Sequence, residues 1–516
     1  MRTDMDSQKL KTIINEEDWD QLLQIVKPKY FARQESELMP DARILAQMCH
    51  ALVSEATPDT IRILCLKCLG NSCLDSYKHK QHTIDNVESV RYRISLYDKL
   101  VESDLCEQGD GCDYPHDSHF PYDGVTEWTV DYIKSRGEST DCSIDSEFDI
   151  FRLSIQFLSN LFTYACPDVT SADSVMRSLS CDNLKQAVLS CMQSDRGSLA
   201  SAACIYVHNA LKKLCYNYFA DERDLCLQLL KPIKEGFTSA TDALLLLLHR
   251  PNVFKDVYDN VTTSEKLDLL EIVYNEMQKS WQSDLDAVLT VDQAEFLALI
   301  FCRKSDCILK TVDTYVDSVD PMEIILILNI LGLFTTQCKI VKDAPLLINC
   351  KYLLLSLHMA GKERNNYFTP ITNLSQVAPS ARGKAADVKA SATEASEATA
   401  ANDPQDHPAY GFKAGLIRVI ANIVHENKRC QDLFREIDGI PVLLDCCNID
   451  ARNPLILQWT ILAVRNLCQG NPQNQEVIRN CKRTGVPGNP VLQEMGLTLH
   501  EDTDGNSIRI APLRRN

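Results

Sequence analysis

Ala421-Asn422-Ile423-Val424-His425-Glu426-Asn427, followed by Gln431-Asp432-Leu433-Phe434, decides the fold, because the pattern returns further on. The second copy is Arg465-Asn466-Leu467-Cys468-Gln469-Gly470-Asn471, followed by Gln475-Glu476-Val477-Ile478. Asn422 pairs with Asn466, Asn427 with Asn471 and Gln431 with Gln475, each at a spacing of 44 residues. A helical repeat of about 40–47 residues predicts stacked repeats of the HEAT or armadillo type. In such a stack each repeat touches only its neighbours, which leaves an extended surface rather than an enclosed site. Between the two copies, Asp438-Gly439-Ile440-Pro441-Val442-Leu443-Leu444 reads as a turn and then a helix, with Gly ending one helix and Pro in the first turn of the next. Leu455 to Val464 is apolar nearly all round, as a helix sandwiched between two others must be.

The repeat fades toward the N-terminus. Ile61–Leu69, Phe151–Tyr164, Ala202–Tyr216 and Pro321–Phe334 are apolar on more than one face, as inner helices of a stack are. Asn71, Asn160 and Asn209 resemble degenerate copies of Asn422 and Asn466, but at irregular spacing. Glu107–Gly124 and Lys134–Glu147 read as loops. Ala378–Asp406 is dominated by Ala, Ser, Thr and charged residues, too little apolar surface to order itself, and reads as a flexible linker. Near the C-terminus the period changes to two. Leu497 and Leu499, then Ile508 and Ile510, alternate with polar residues around Asp504-Gly505, which predicts a β-hairpin. The expected fold is all-α, an armadillo/HEAT-like α-solenoid with a small C-terminal β-hairpin. Its expected parts are an irregular helical-repeat lobe (1–357), an Ala/Ser-rich linker (358–408), armadillo-like repeats (409–482) and a tail with the hairpin (483–516).

Composition narrows the function. Of the 516 residues 45% are hydrophobic, enough for a large core, and only 18 are Gly, about half the usual share. The formal net charge of −18 argues against a nucleic-acid binder, which would carry a basic face; it is compatible with basic partners, and also reads as a soluble, self-repelling surface. Met1–Trp19 is polar and acidic, with no apolar leader, and the most apolar run, Ile324–Phe334, is too short to cross a bilayer. A cytosolic or nuclear protein without membrane insertion is expected, its 22 cysteines reduced and mostly acting as small buried side chains.

Several residue groups were weighed for chemistry. Cys65, Cys68, Cys73, His79 and His82 have zinc-ligating types, but Cys65 and Cys68 fall inside an apolar helical run rather than a turn. Cys106, Cys112, His116 and His119 are the better metal candidates, because Gly109, Gly111 and Pro115 let the chain turn around an ion. Their spacing matches no standard finger. Asp502, Asp504 and Asn506 place Ser507 and Leu513 where a calcium loop needs Gly and Glu. No phosphate-binding loop, G-x-S-x-G elbow or H-E-x-x-H sequence occurs. No catalytic residue and no cofactor is expected.

Asn422 and Asn466 admit two readings. On the concave helix of peptide-binding armadillo proteins an Asn holds an extended peptide backbone, often with a Trp one turn earlier. Here Arg418 precedes Asn422 by one turn and Leu462 precedes Asn466, while Trp459 lies two turns before Asn466. The other reading is that each amide satisfies backbone groups between repeats, since buried amides must be hydrogen-bonded. Under the first reading Arg418, Asn422, Arg465 and Asn466 are the partner-binding residues.

Phe412-Lys413-Ala414-Gly415-Leu416-Ile417-Arg418, Asp438 through Leu444, Trp459 through Leu467, Asn474-Gln475 and Met495-Gly496-Leu497-Thr498 resemble the C-terminal domain of the ataxin-10 family over about Gly411–Ile510. The resemblance implies a non-enzymatic, armadillo-like cytoplasmic scaffold. It implies roles in neuron survival, in neurite outgrowth through Ras–MAP kinase signalling, in cytokinesis and in cilia. Implied partners are a heterotrimeric G-protein β subunit and the O-GlcNAc transferase. The implied locations are perinuclear, midbody or basal body, and a homo-oligomer is compatible with all of this. The alternative is an armadillo-type receptor that binds basic peptides in transport.

Overall fold

A computed structural model describes residues 7–31, 42–73, 123–136, 145–164, 178–213, 218–219, 221–250, 252–280, 288–311, 319–338, 343–363, 366–370, 409–447, 450–481, 496–501 and 508–512. The chain forms two compact units, 1–257 and 258–516.

In the first unit the helices are α1 (Ser7–Asn15), α2 (Trp19–Ile25), α3 (Ala42–Val53), α4 (Asp59–Ser72), α5 (Asp123–Arg136), α6 (Asp145–Tyr164), α7 (Asp182–Met192), α8 (Gly197–Lys213), α9 (Glu222–Lys234) and α10 (Thr238–Leu248). The unit boundary falls in α11 (Val253–Asn260). Helices α4, α6, α8 and α10 pack side by side in an inner row. These helices carry buried residues on more than one face, because neighbours in the row and the flanking helices all cover them. Phe151, Phe157, Phe162 and Tyr206 are the largest side chains fully buried here, each worth about 1.5–3 kcal/mol on burial. The Tyr206 and Tyr218 hydroxyls lie 2.7 Å apart, and Tyr218 donates to the Leu179 carbonyl at 2.6 Å, so the buried phenols are satisfied.

The second unit contains α12 (Thr263–Ser280), α13 (Val291–Lys304), α14 (Val319–Gln337), α15 (Asp343–Glu363), α16 (Phe412–Ile423), α17 (Lys428–Glu436), α18 (Gly439–Asp445), α19 (Ile456–Cys468) and α20 (Pro472–Asn480). Its inner row is α12, α14, α16 and α19, with α15 packed on α16, α17 and α18. Both units are stacks of helices, the all-α solenoid architecture that the 44-residue repeat predicts. The helices on either side of the expected linker belong to one stack, since α14 and α15 pack directly on α16. The segment assigned to that linker begins as helix to Glu363, and 366–370 then folds against the C-terminal repeats. Residues 371–408 lie outside the described ones.

Local rules account for the repeat. Asn427 and Asn471 are the N-caps of α17 and α20, accepting from the amides of Cys430 and Asn474, each at 3.2 Å. Pro472 follows Asn471 in the first turn, where its missing N–H costs nothing. The turn between α17 and α18 departs from expectation. Asp438, not Gly439, takes the left-handed conformation, at φ 54°. Gly439 is required for room, because a Cβ there would sit 2.5 Å from the ring of the buried Phe434.

The tail forms the expected hairpin. β1 (Leu497–Glu501) pairs antiparallel with β2 (Ile508–Pro512), in a register that sets Leu497 opposite Pro512 and Glu501 opposite Ile508.

Candidate partner-binding face

The asparagines form a ladder. In the first unit Asn71 donates to the Pro28 carbonyl (3.0 Å), Asn160 to the Gly70 carbonyl (3.0 Å) and Asn209 to the Ser159 carbonyl (3.2 Å). In the second unit Asn466 donates to the Ala421 carbonyl at 3.0 Å. Asn160, Asn209 and Asn466 each reach the residue just before the preceding asparagine. Asn422 follows the same register to the Gly332 carbonyl (3.2 Å), so Leu333 occupies the position where α14 would carry its own asparagine. The Asn422 amide also lies 3.0 Å from the hydroxyls of Thr335 and Thr336.

A second polar network joins the last two repeats. Gln431 donates to the carbonyls of Val424 (3.2 Å) and Asn466 (2.9 Å), and Asn474 to those of Leu467 (2.8 Å) and Gln431 (3.2 Å). Asn471 donates to Asp432 at 3.0 Å, and Arg435 donates to Asp432 at 2.7 Å and to Asn474 at 2.9 Å. These hydrogen bonds, from Arg435 first and Asn471 next, hold the Asp432 carboxyl down to about 2.

Beneath the repeats lies a buried charge pair. Lys413 and Asp450 are almost fully buried and 3.6 Å apart. The Lys413 ammonium also donates to the Phe368 carbonyl at 3.0 Å. Asn453 accepts from the amides of Lys413 and Ala414, satisfying the start of α16. Arg452 donates to the carbonyls of Asn366, Tyr367 and Thr369 at 2.7–3.0 Å, strapping 366–370 onto the repeats. Sequence reasoning missed this group. The signals were a Lys in the first turn of an apolar helix and an Asp450-x-x-Asn453 turn.

The four expected partner-binding residues divide. Asn466 is buried and held by the repeat, and Asn422 is half-buried and engaged by α14. Arg418 and Arg465 are different. Arg418 stacks over the Trp459 ring, 5.2 Å from its centroid, and Nη2 reaches the Thr336 hydroxyl at 3.4 Å. Its stem lies on α14 at Gly332, where an added Cβ would be 3.4 Å from Cδ. Its Nε is buried without a hydrogen-bond partner, a deficit of about 1–3 kcal/mol, and burial pulls the guanidinium below its usual range. Arg465 is exposed on α19. Among the described residues no carboxylate pairs with either arginine. Helices α16 and α19 contain no Asp or Glu at all. On α19, Gln458, Ile461 and Arg465 share one face, with Ile461 58% exposed, and Leu455, the residue that precedes the helix, is 59% exposed. Leu455 is held at φ 61°, a conformation that a leucine rarely adopts.

Cys106, Cys112, His116 and His119 lie outside the described residues, as do His79 and His82. Cys65, Cys68 and Cys73 are buried thiols of α4 and its end, and burial pushes the Cys65 and Cys68 thiols far up. Among the described residues no cluster of His, Cys, Asp and Glu could hold a metal ion, and no helix is long and apolar enough to cross a membrane.

Comparison with known proteins bears on the same region. The family model described as the spinocerebellar ataxia type 10 protein domain matches residues 412–510, which begin at α16 and end in β2. Ataxin-10 of Xenopus tropicalis is 30% identical over 270 residues, covering 50% of this chain and 49% of that protein, so the match spans about half the relative's length. Ataxin-10 of Bos taurus is 25% identical over 370 residues, covering 70% of this chain and 71% of the relative. An ataxin-10 homolog of Dictyostelium discoideum is 40% identical over 95 residues, 18% of this chain and 16% of that one. A crystal structure of importin beta aligns with 86% of this chain and 55% of its own at a TM-score of 0.30 and 11% identity, too distant to bear on fold or function. The repeated Asn and Gln positions, the Lys413–Asp450 pair and the arginine-bearing helices all fall inside the segment in which this chain is similar to the spinocerebellar ataxia type 10 protein domain, and the relatives it resembles are ataxin-10 proteins.

Proposed function

We propose that this protein is a non-enzymatic interaction scaffold, and that the face shared by α14, α16 and α19 is where it holds other proteins. One observation carries the reading. Arg465 on α19 and Arg418, which stacks on Trp459 of the same helix, are cations without acidic partners among the described residues, and Leu455 and Ile461 beside them are exposed large apolar side chains. Stacked repeats suit this role, because they offer a long surface on a rigid core.

From the family, the partners in view are a heterotrimeric G-protein β subunit and the O-GlcNAc transferase. The processes are neuron survival, neurite outgrowth through Ras–MAP kinase signalling, cytokinesis and ciliary function. The protein would then work in the cytoplasm, at perinuclear, midbody or basal-body sites, with self-association open to it. The test is direct binding of each purified partner to the full chain and to the Arg418→Glu, Arg465→Glu double variant. Binding that is lost in the variant supports the reading. Binding that is unchanged places recognition elsewhere and removes this face from consideration.

A receptor for basic peptides is the competing reading, favoured by the net charge of −18. The face itself opposes it, since it offers cations where a basic peptide needs carboxylates. A basic localisation peptide that bound the full chain at micromolar concentration would reinstate it.

A further inference from the structure

We infer that the face formed by α14, α16 and α19 takes an acidic segment of a partner protein, with one carboxylate on Arg418 and a second on Arg465. The inference rests on the scaffold reading above and adds the chemistry of the occupant.

The argument starts from Arg418. A guanidinium has five N–H donors in a fixed fork that matches a carboxylate. Here Nε is buried and without a hydrogen bond, while Nη2 lies at the surface against Thr336. Trp459 beneath the plane and α14 under the stem fix its direction. An arginine ordered in this way has lost its side-chain freedom before any ligand arrives, so a carboxylate that meets it gains a charge-assisted bond without that cost. The surroundings set the sign. Neither α16 nor α19 contains an acid, and the nearest carboxylate on α14 whose side chain is described, Glu323, is buried against Tyr258 and Lys304. Arg465 adds a second cation one helical turn beyond Ile461. Two cations are too few for a nucleic-acid surface, which needs a basic stripe on a basic domain.

The overall charge of −18 does not veto an acidic ligand. At physiological ionic strength charges more than about 8 Å apart are largely screened. A half-buried arginine in direct contact is screened much less.

The test uses the full chain and a short fluorescein-labelled peptide of Asp, Glu and Leu, read by fluorescence anisotropy. Two control peptides replace the acids by Asn and Gln, or by Lys. The acidic peptide is expected to bind, and Arg418→Gln and Arg465→Gln to weaken it about tenfold each, the factor for one charge-assisted hydrogen bond. Arg465 is exposed, so Arg465→Gln reports on binding even if Arg418→Gln disturbs folding. Equal binding of the amide peptide, or an acidic peptide indifferent to both substitutions, overturns the inference. So does a full chain that sediments as a dimer, becomes monomeric in the double Gln variant and ignores the peptide, because the occupant is then a second copy. If the purified partners bind through this face while the acidic peptide does not, the scaffold reading stands and the acidic occupant falls. If the peptide binds and no partner protein does, the reverse holds.

Discussion

The first unit and the C-terminal repeats use one asparagine device in two settings. In the first unit Asn160 reaches the carbonyl of Gly70, and the helices around it are joined largely by Leu, Ile, Phe and Cys. In the C-terminal repeats Asn466 does the same for Ala421, but Gln431, Asn471, Asn474, Arg435 and Asp432 then tie the outer helices together as well. The difference teaches what holds a repeat to its period. An apolar contact accepts any residue of about the right size. A side-chain amide that must meet two buried carbonyls accepts one residue type at one place. Sequence regularity therefore survives where the hydrogen bonds are.

The largest expected effect comes from the deepest polar contact. Asp450→Ala would leave the Lys413 ammonium buried without its counter-charge and remove an acceptor for Asn453. A loss of about 3–5 kcal/mol is expected in the C-terminal repeats. A stack of repeats need not unfold in one step, so the measurement is hydrogen exchange of the α16 amides in the full chain. Protection equal to wild type would mean that the pair is incidental to the fold. Next comes Gln431→Leu, which leaves the Val424 and Asn466 carbonyls without the Gln431 amide and the Asn471 amide without one of its acceptors. About 3 kcal/mol is expected, seen as faster exchange in α17 and α20 together.

The legible part of the fold follows from this division. Asn422 and Asn466 stood out because their partners, the carbonyls of Gly332 and Ala421, are at fixed heights on the preceding helix. Asn160 and Asn209 obey the same register, yet intervening segments of unequal length hide it from any count of residues. Position 333 was invisible because the ladder is filled there by a leucine. The candidate face was half legible. Arg418 was found from its place one turn before Asn422. Its contact with Trp459 was not, because that Trp was judged only against Asn466 on its own helix, whereas it packs on the arginine of the helix before. The strap at 366–370 was folded into an expected linker, since nothing in Asn366-Tyr367-Phe368-Thr369 announces that Arg452 will bind its carbonyls.

A smaller effect sharpens the comparison from the other side. Asn160→Leu removes the hydrogen bond to the Gly70 carbonyl, in a row joined largely by apolar packing. About 1 kcal/mol is expected, a third of the Gln431→Leu effect, measured by exchange of the α4 and α6 amides. Equal costs at the two positions would break the distinction drawn between the two regions.

The smallest effect tests whether the network, rather than the repeat itself, is responsible. Asp432 and Arg435 recur 44 residues later as Glu476 and Arg479, again three apart and again paired. Only Asp432 is met by an asparagine from a following repeat, Asn471. Its carboxyl is held at about 2, below an unfolded value near 4, so it contributes stability above about pH 4 that is lost as pH falls toward 2. Partial exposure limits that contribution to about 0.2–1 kcal/mol. Asp432→Asn should therefore lower the thermal midpoint slightly at pH 6 and match wild type near pH 2. Glu476→Gln should shift it at neither pH by a measurable amount. Were both substitutions to act alike, the ion pair alone would explain Asp432. A pH-dependent difference confined to Asp432 would assign the effect to Asn471 and to the contact between successive repeats.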